Sequence, residues 1–277
     1  MIYKLVPHEY VNVRPLFGPL DYHLAVDAII AEDVPAQVYA DDPLQPRVAL
    51  LLPWNPHRVY LAGTDDNAAF NRAAARVVTE RYAPRTNLTE LTEFVVYAAP
   101  NRWEQTINAL VSGAANVKVQ RQFLRLKQLQ IVRRTTSPTG FTMRRVDAQL
   151  LAEGLQHTED LVEEIHSESP SVDDFLRNKF GYCVQLGNTV VGWCLSEYNR
   201  PGHCELGIET LEGYRRRGIA TLTASAVIEY ALAQDITDIG WHCWANNVAS
   251  IAVATKVGFE KVLDYAVWYC RMSGSQP

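Results

Sequence analysis

The sequence lacks the marks of a membrane-embedded or disulfide-built protein. No stretch reaches the roughly 20 uninterrupted apolar residues of a membrane span, so no membrane partner is expected. The opening Met1-Ile-Tyr-Lys-Leu-Val-Pro-His-Glu9 has no hydrophobic signal region, and a cytoplasmic location is expected. Cysteine is sparse: Cys183, Cys194, Cys204, Cys243 and Cys270 form no Cys-x-x-Cys pair. That spacing argues against a disulfide framework or a cysteine-based zinc site, and for reduced, buried thiols with no metal. An excess of positive charge is also missing. Lys plus Arg number 26 against 31 Asp plus Glu, a formal charge of -5, so nucleic acid is not the expected partner.

What is present is an average globular mixture, 48% hydrophobic and 21% charged over 277 residues. At roughly 150 residues per domain this suffices for two cores. Thr135-Thr-Ser-Pro-Thr-Gly140 interrupts both helical and strand periodicity. It reads as the boundary between an N-terminal α/β domain at 1–135 and a second domain at 141–277. In the first, an irregular helical stretch near Tyr10 to Ile30, broken by Pro15, Gly18 and Pro19, precedes short strands at 37–40, 48–52 and 58–62. These read as an antiparallel meander. A helix over 67–82, a strand at 94–98 and a helix from Pro100 to about Val111 follow. Val117 to Arg134 alternates only partly and is rich in Lys and Arg, as on a solvated strand or helix face.

The second domain reads as a strand at 141–146, helices at 148–155, 159–167 and 172–180, and strands at 182–186, 189–196 and 203–210. A helix over 218–234 places Ile219, Leu222, Ala226, Tyr230 and Ala233 on one face. Strand 239–244, helix 248–257 and strand 266–271 complete an α/β (α+β) pattern. Between strand and helix lies Tyr214-Arg-Arg-Arg-Gly-Ile-Ala220, a basic turn feeding a helix N-terminus. Unpaired N–H groups, the helix dipole, a glycine able to turn left-handed and three arginines suit a pyrophosphate. Alone, the same turn is also the start of any solvated helix.

Arg215-x-x-Gly218-x-Ala220, followed by Asn247-x-x-Ser250 and Gly258-Phe259, resembles the GNAT superfamily of acyl-CoA N-acyltransferases, whose signature is Q/R-x-x-G-x-G/A. Glu205 to Thr210, Trp241-His-Cys243 and Ala254 to Phe259 are similar to a bacterial subgroup that includes zwittermicin A resistance acetyltransferases. The resemblance implies a GNAT fold in the second half: a mixed, mostly antiparallel central sheet flanked by helices. Its fourth and fifth strands splay so that pantetheine lies between them. The first half would be a degenerate GNAT-like half or an appended domain. Acetyl-CoA is then the co-substrate. Ile208 and Thr210 would offer backbone groups to pantetheine, and the turn and helix start from Arg215 through Arg216, Arg217, Gly218, Ile219, Ala220 and Thr221 would hold the pyrophosphate. Asn247 would reach the pantetheine arm or simply cap its helix, and Ser250 would touch the cofactor or permit close packing.

The acceptor amine must lose a proton before or during attack, and Glu205, beside the expected thioester, is the candidate base. Glu209, on the same face by period two, is the alternative. Many family members carry a Tyr general acid seven residues after the Asn, where this chain has Ala254. Tyr265 or Tyr269 from the last strand would substitute, and a thiol near pKa 8.5 needs little protonation to leave. Trp241 and Cys243, sharing one face, would wall the acceptor cleft, with His242 structural. The expected acceptor is a small amine-bearing metabolite or antibiotic, with a protein amine the enzymatic alternative. A non-catalytic acyl-CoA sensor, and nucleic-acid binding through 118–134, are the rivals from other classes. No oligomeric state is legible.

Overall fold

The computed structural model describes residues 1–55, 57–82, 91–111, 114–128 and 140–273. The expected boundary at 135–139 and the basic pair Arg133 and Arg134 lie outside them. The chain forms two compact units, Met1–Gln120 with Ala266–Pro277, and Arg121–Tyr265. These differ from a division at 135 and 141 because two strands each begin in one unit and end in the other.

The first unit holds β1 (Tyr3–Lys4), a 3-10 segment (Pro7–Leu20), α1 (Leu24–Ile30), β2 (Ala36–Ala40), β3 (Val48–Pro53), β4 (Arg58–Gly63), α2 (Ala68–Tyr82), β5 (Leu91–Ala99), α3 (Ile107–Leu110) and the start of β6 (Ala114–Leu126). Pro15 and Pro19 leave the first helical stretch as a 3-10 segment that stops at Leu20. All six residues of β3 are buried, as expected of a central strand covered on both faces. Asn67 caps α2 by accepting from the Phe70 N–H at 3.1 Å. The helix then packs Phe70, Ala74, Val78 and Tyr82 against the sheet. β1 to β4 pair antiparallel in chain order, but β4 and β5 run parallel.

The second unit holds β7 (Phe141–Arg145), α4 (Ala148–Ala152), α5 (Thr158–Glu168), α6 (Val172–Asn178), β8 (Gly181–Leu186), β9 (Thr189–Arg200), β10 (His203–Thr210), α7 (Ile219–Ala233), β11 (Asp238–Trp244) and α8 (Val248–Val257). It ends within β12 (Phe259–Ser273). β12 extends well beyond the expected strand at 266–271. Its exposed start with Glu260, Lys261 and Asp264 carries no apolar alternation, and Lys261 pairs with Asp264 at 2.8 Å. β7 to β10 pair antiparallel, and β10 and β11 run parallel. β11 pairs antiparallel with residues 121–125 of β6, while residues 268–273 of β12 pair antiparallel with β5 in the first unit. Each unit therefore repeats one order of pairing: three antiparallel steps, one parallel, one antiparallel.

Strand alternation in the second unit gives its sheet two apolar faces. Cys204, Leu206, Ile239, Trp241 and Cys243 pack with α7 and α8 through Ala224, Val227, Ile228, Ala254 and Val257. Trp193 and Leu195 point the other way, toward Leu161, Ile165 and Phe175 of α5 and α6. Glu205, Gly240 and His242 alternate with the first set and share the second face.

Candidate active site

β10 and β11 start as neighbours, with Cα partners His203 and Asp238, Cys204 and Ile239, and Glu205 and Gly240. Both strands continue, to Thr210 and Trp244, without further pairing to each other, while β10 stays paired to β9 through Thr210. The sheet thus parts after Glu205. Beside the parting lies a cleft of roughly 540 Å³, lined by the end of β10, the turn before α7, the first turn of α7 and the start of α8.

The turn is built for close approach. Arg216 and Gly218 both have positive φ, +63° and +81°, so the backbone reverses twice and α7 begins directly at Ile219. A Cβ at Gly218 would meet nothing within 4 Å. The residue is required by its left-handed conformation and not by crowding. The first N–H groups of α7 have no intrahelical acceptor, by helix geometry.

Ile208, Thr210, Arg215, Arg216, Gly218, Ile219, Ala220, Thr221, Asn247 and Ser250 all line this cleft, with Glu209 and Tyr214. Arg217 instead lies with its guanidinium 5.6 Å from the centre of the Tyr214 ring. Arg215 donates to the Thr210 carbonyl at 3.1 Å and pairs with Glu209 at 3.3 Å, which occupies Glu209 at the surface. The Thr210 hydroxyl is buried with no hydrogen-bond partner. Asn247 caps α8, its side-chain oxygen accepting from the Ser250 N–H at 3.0 Å. The Ser250 hydroxyl accepts from the Trp241 indole N–H at 3.0 Å.

That contact corrects one expectation. Trp241 and Cys243 do not wall a cleft: they are 1% and 5% exposed and sit in the core against α7 and α8. Burial pushes the Cys243 thiol up, opposed by Arg121 and a hydrogen bond with Ser250, so it is not a ready thiolate nucleophile. The residue between them faces the other way. His242 Nδ1 lies 2.8 Å from the Tyr265 hydroxyl, and its Nε2 lies 3.4 Å from Glu205 Oε1. Phe123 stacks on the imidazole at 4.7 Å and 21°. The structure thereby joins Glu205 and Tyr265 through a histidine that sequence reasoning treats as structural. The signal was available in the alternation, since His242 and Gly240 share a face. Tyr269, the other expected acid, belongs to the first unit and is hydrogen-bonded to Glu93. Ala254 is buried in the α8 core.

The basic segment is spoken for in part. Lys118 pairs with Glu104 at 2.6 Å, Arg125 with Asp238 at 3.0 Å, and Arg121 lies 4.7 Å over the Trp244 ring.

The sheet of the second unit thus opens beside a cleft headed by the N-terminus of α7. The chain belongs to the GNAT acetyltransferase family, whose family model matches residues 14–268. It is 24% identical over 269 residues to an uncharacterized N-acetyltransferase, YdfB, of Bacillus subtilis (strain 168), covering 97% of this chain and 98% of that one. Its fold is similar to that of a GCN5-related N-acetyltransferase-like protein from Streptococcus suis 89/1591, with a TM-score of 0.71 at 19% identity over 95% of this chain and 99% of the other. It is also similar to a tandem GNAT protein from the clavulanic acid biosynthesis pathway. There the TM-score is 0.61 at 12% identity, over 100% and 99% of the two chains.

Proposed function

We propose that the second unit binds acetyl-CoA in the cleft beside β10 and transfers the acetyl group to a primary amine. The acceptor is a small metabolite or antibiotic-like molecule, and attack is direct, within a ternary complex. The observation that carries the reading is the parting of β10 from β11 after Glu205 and Gly240. It leaves backbone groups on the β10 side facing a gap instead of a neighbouring strand.

The residues present fit the co-substrate. The space open at Gly218, the N–H groups heading α7 and the Arg216 side chain suit a diphosphate. The backbone groups of Ile208 and Thr210, on the β10 side of the parting, suit an amide-bearing arm. Acetyl-CoA, when bound, supplies an activated acetyl group on a thiol leaving group. Asn247, its oxygen committed to the cap, keeps its amide N–H groups to donate. Glu205 supplies the basic group for the acceptor's proton, from the face opposite α7. Its cross-strand partner Glu197 is buried on the same face, and two carboxylates there suit a cationic amine.

Calorimetric titration with acetyl-CoA, followed by thiol release over a panel of small amines and amine-bearing peptides, tests this. Binding plus release with small amines is expected. Release with peptides alone moves the acceptor to protein, binding without any release makes the chain a sensor, and absence of binding overturns the reading.

A further inference from the structure

The three arginines that follow β10 lie in three different settings. Arg217 stands over the Tyr214 ring, and Arg216 lines the cleft with no carboxylate paired to it among the described residues. Arg215 folds back on the strand. Its Nε–H donates to the Thr210 carbonyl at 3.1 Å, and a terminal N–H donates to Glu209 Oε1 at 3.3 Å. Its own backbone N–H donates to the Glu212 carbonyl at 3.3 Å, so main chain and side chain together close the short loop between strand and turn.

The closure acts on a strand end with a neighbour on one side alone. Past Glu205, β10 no longer pairs with β11 and keeps β9. There β9, β10 and α7 crowd around Gly192, where a Cβ would stand 2.9 Å from the Glu209 carbonyl oxygen and from Ile219 Cγ2. On the exposed side, the Arg215 guanidinium spans from the turn to the strand. Glu209 carries the wrong charge for its place. It lines a cleft read as an anion site, and a carboxylate repels a diphosphate. Arg215 cancels that charge. The pair is 59% and 48% exposed, so it adds little to stability, and its effect falls on the field within the cleft.

We propose that Glu209 is the residue that limits acetyl-CoA affinity, and that Arg215 is a positioning residue that acts through it, screening its carboxylate and tying it to the strand end. The inference rests on the acetyl-CoA reading of the cleft and deepens it. The arginines of the turn then divide their work. Arg216 keeps its charge for the diphosphate, while Arg215 spends its own on Glu209. Because the carboxylate stands beside the diphosphate and not beside the reacting thioester, it acts equally on ground state and transition state. It therefore sets how tightly the co-substrate is held and not how fast the bound acetyl group is transferred.

Calorimetric titration of the full chain with acetyl-CoA tests this on the parent, Glu209→Gln, Arg215→Gln and the double variant. Glu209→Gln should tighten acetyl-CoA about two- to fivefold, and Arg215→Gln should weaken it by a similar factor. The double variant should return close to the parent, because the two charges oppose each other. All the differences should shrink at about 1 M salt, where the screening length is ~3 Å; a merely structural loss would persist there. Melting temperatures should stay parent-like, and in thiol release the KM for acetyl-CoA should carry the change with kcat unmoved. Glu209→Gln no tighter than the parent overturns the proposal, and being nearly isosteric it decides the matter if Arg215→Gln does not fold. A double variant as weak as Arg215→Gln also overturns it, since Arg215 would then act on the ligand or the fold directly. A parent that binds acetyl-CoA with either of these results defeats the screening role alone. A parent that takes up no acetyl-CoA defeats the reading of the cleft and this inference with it.

Discussion

Glu205 and Gly240 are the last Cα partners between β10 and β11, and the equivalent parallel pair in the first unit has no such ending. There Arg58 to Ala62 pair with Val95 to Ala99, and β4 and β5 stop within a residue of the last pair. The turn from β4 into α2 carries Asp65 and Asp66 where the second unit has arginines, and the N-terminus of α2 is already capped by Asn67. The first unit thus repeats the pairing order without a gap for an extended ligand, and with the wrong charge for a phosphate. One acetyl-CoA per chain is expected. A calorimetric stoichiometry of two would show that an unparted sheet also binds.

Gly218 separates conformational strain from ligand exclusion. Its φ of +81° disfavours any L side chain, while the space beyond its Cα is open. Gly218→Ala should therefore lower stability by about 1 kcal/mol and retain acetyl-CoA binding. Gly218→Glu should lose a similar amount of stability and weaken acetyl-CoA at least tenfold, because a carboxylate would stand where the diphosphate is expected. Paired thermal melts and titrations check this. Equal affinities in the two variants would remove the turn from the binding site.

Much of this was legible in the sequence where local chemistry and periodicity agree. The helix at 248–257 was bounded by its Asn247 cap, and the basic turn marked the start of α7. The parting of the strands was an implication of family resemblance, because no property of Glu205 or Gly240 alone shows which residues lose their partners. Alternation puts Trp241 and Cys243 on one common face, but it does not say which face meets helices and which meets ligand. The start of β12 carries no strand signal because Glu260, Lys261, Val262 and Asp264 are exposed. Parallel pairing of β4 with β5 depends on the chain crossing through α2, a tertiary matter that a run of short strands does not reveal.

Asn247 joins a structural and a binding role that substitution can separate. Its side-chain oxygen caps α8 by accepting from the Ser250 N–H, and the Ser250 hydroxyl in turn accepts from the buried Trp241 indole N–H. Asn247→Asp keeps the acceptor and should stay within about 0.5 kcal/mol of the parent, whereas Asn247→Ala should lose about 1 kcal/mol. The aspartate also lacks the amide donor and adds negative charge to the cleft, so its acetyl-CoA affinity should fall although its melting temperature holds. Parent-like affinity for Asn247→Asp would leave capping as the residue's whole role.

The buried thiols set an alkaline limit on stability. Burial pushes Cys183 and Cys270 up to about 12, and raises Cys194 and Cys204 well above the ordinary value of 9.0. In the unfolded chain the same thiols ionise near 9, so above that pH the folded state holds more protons than the unfolded one. Stability is then fully present below about pH 9 and falls as pH rises toward the folded-state values. The slope is on the order of 1 kcal/mol per thiol for each pH unit, and four such thiols would consume the margin of a typical domain within about two units. Tyr82, also raised to about 12 by burial, adds to the loss once pH exceeds 10. Urea midpoints under reducing conditions should hold between pH 7 and 8.5 and drop steeply by pH 10. A midpoint unchanged at pH 10 would mean that these thiols ionise in place, and that the cores around Cys183, Cys194, Cys204 and Cys270 admit water.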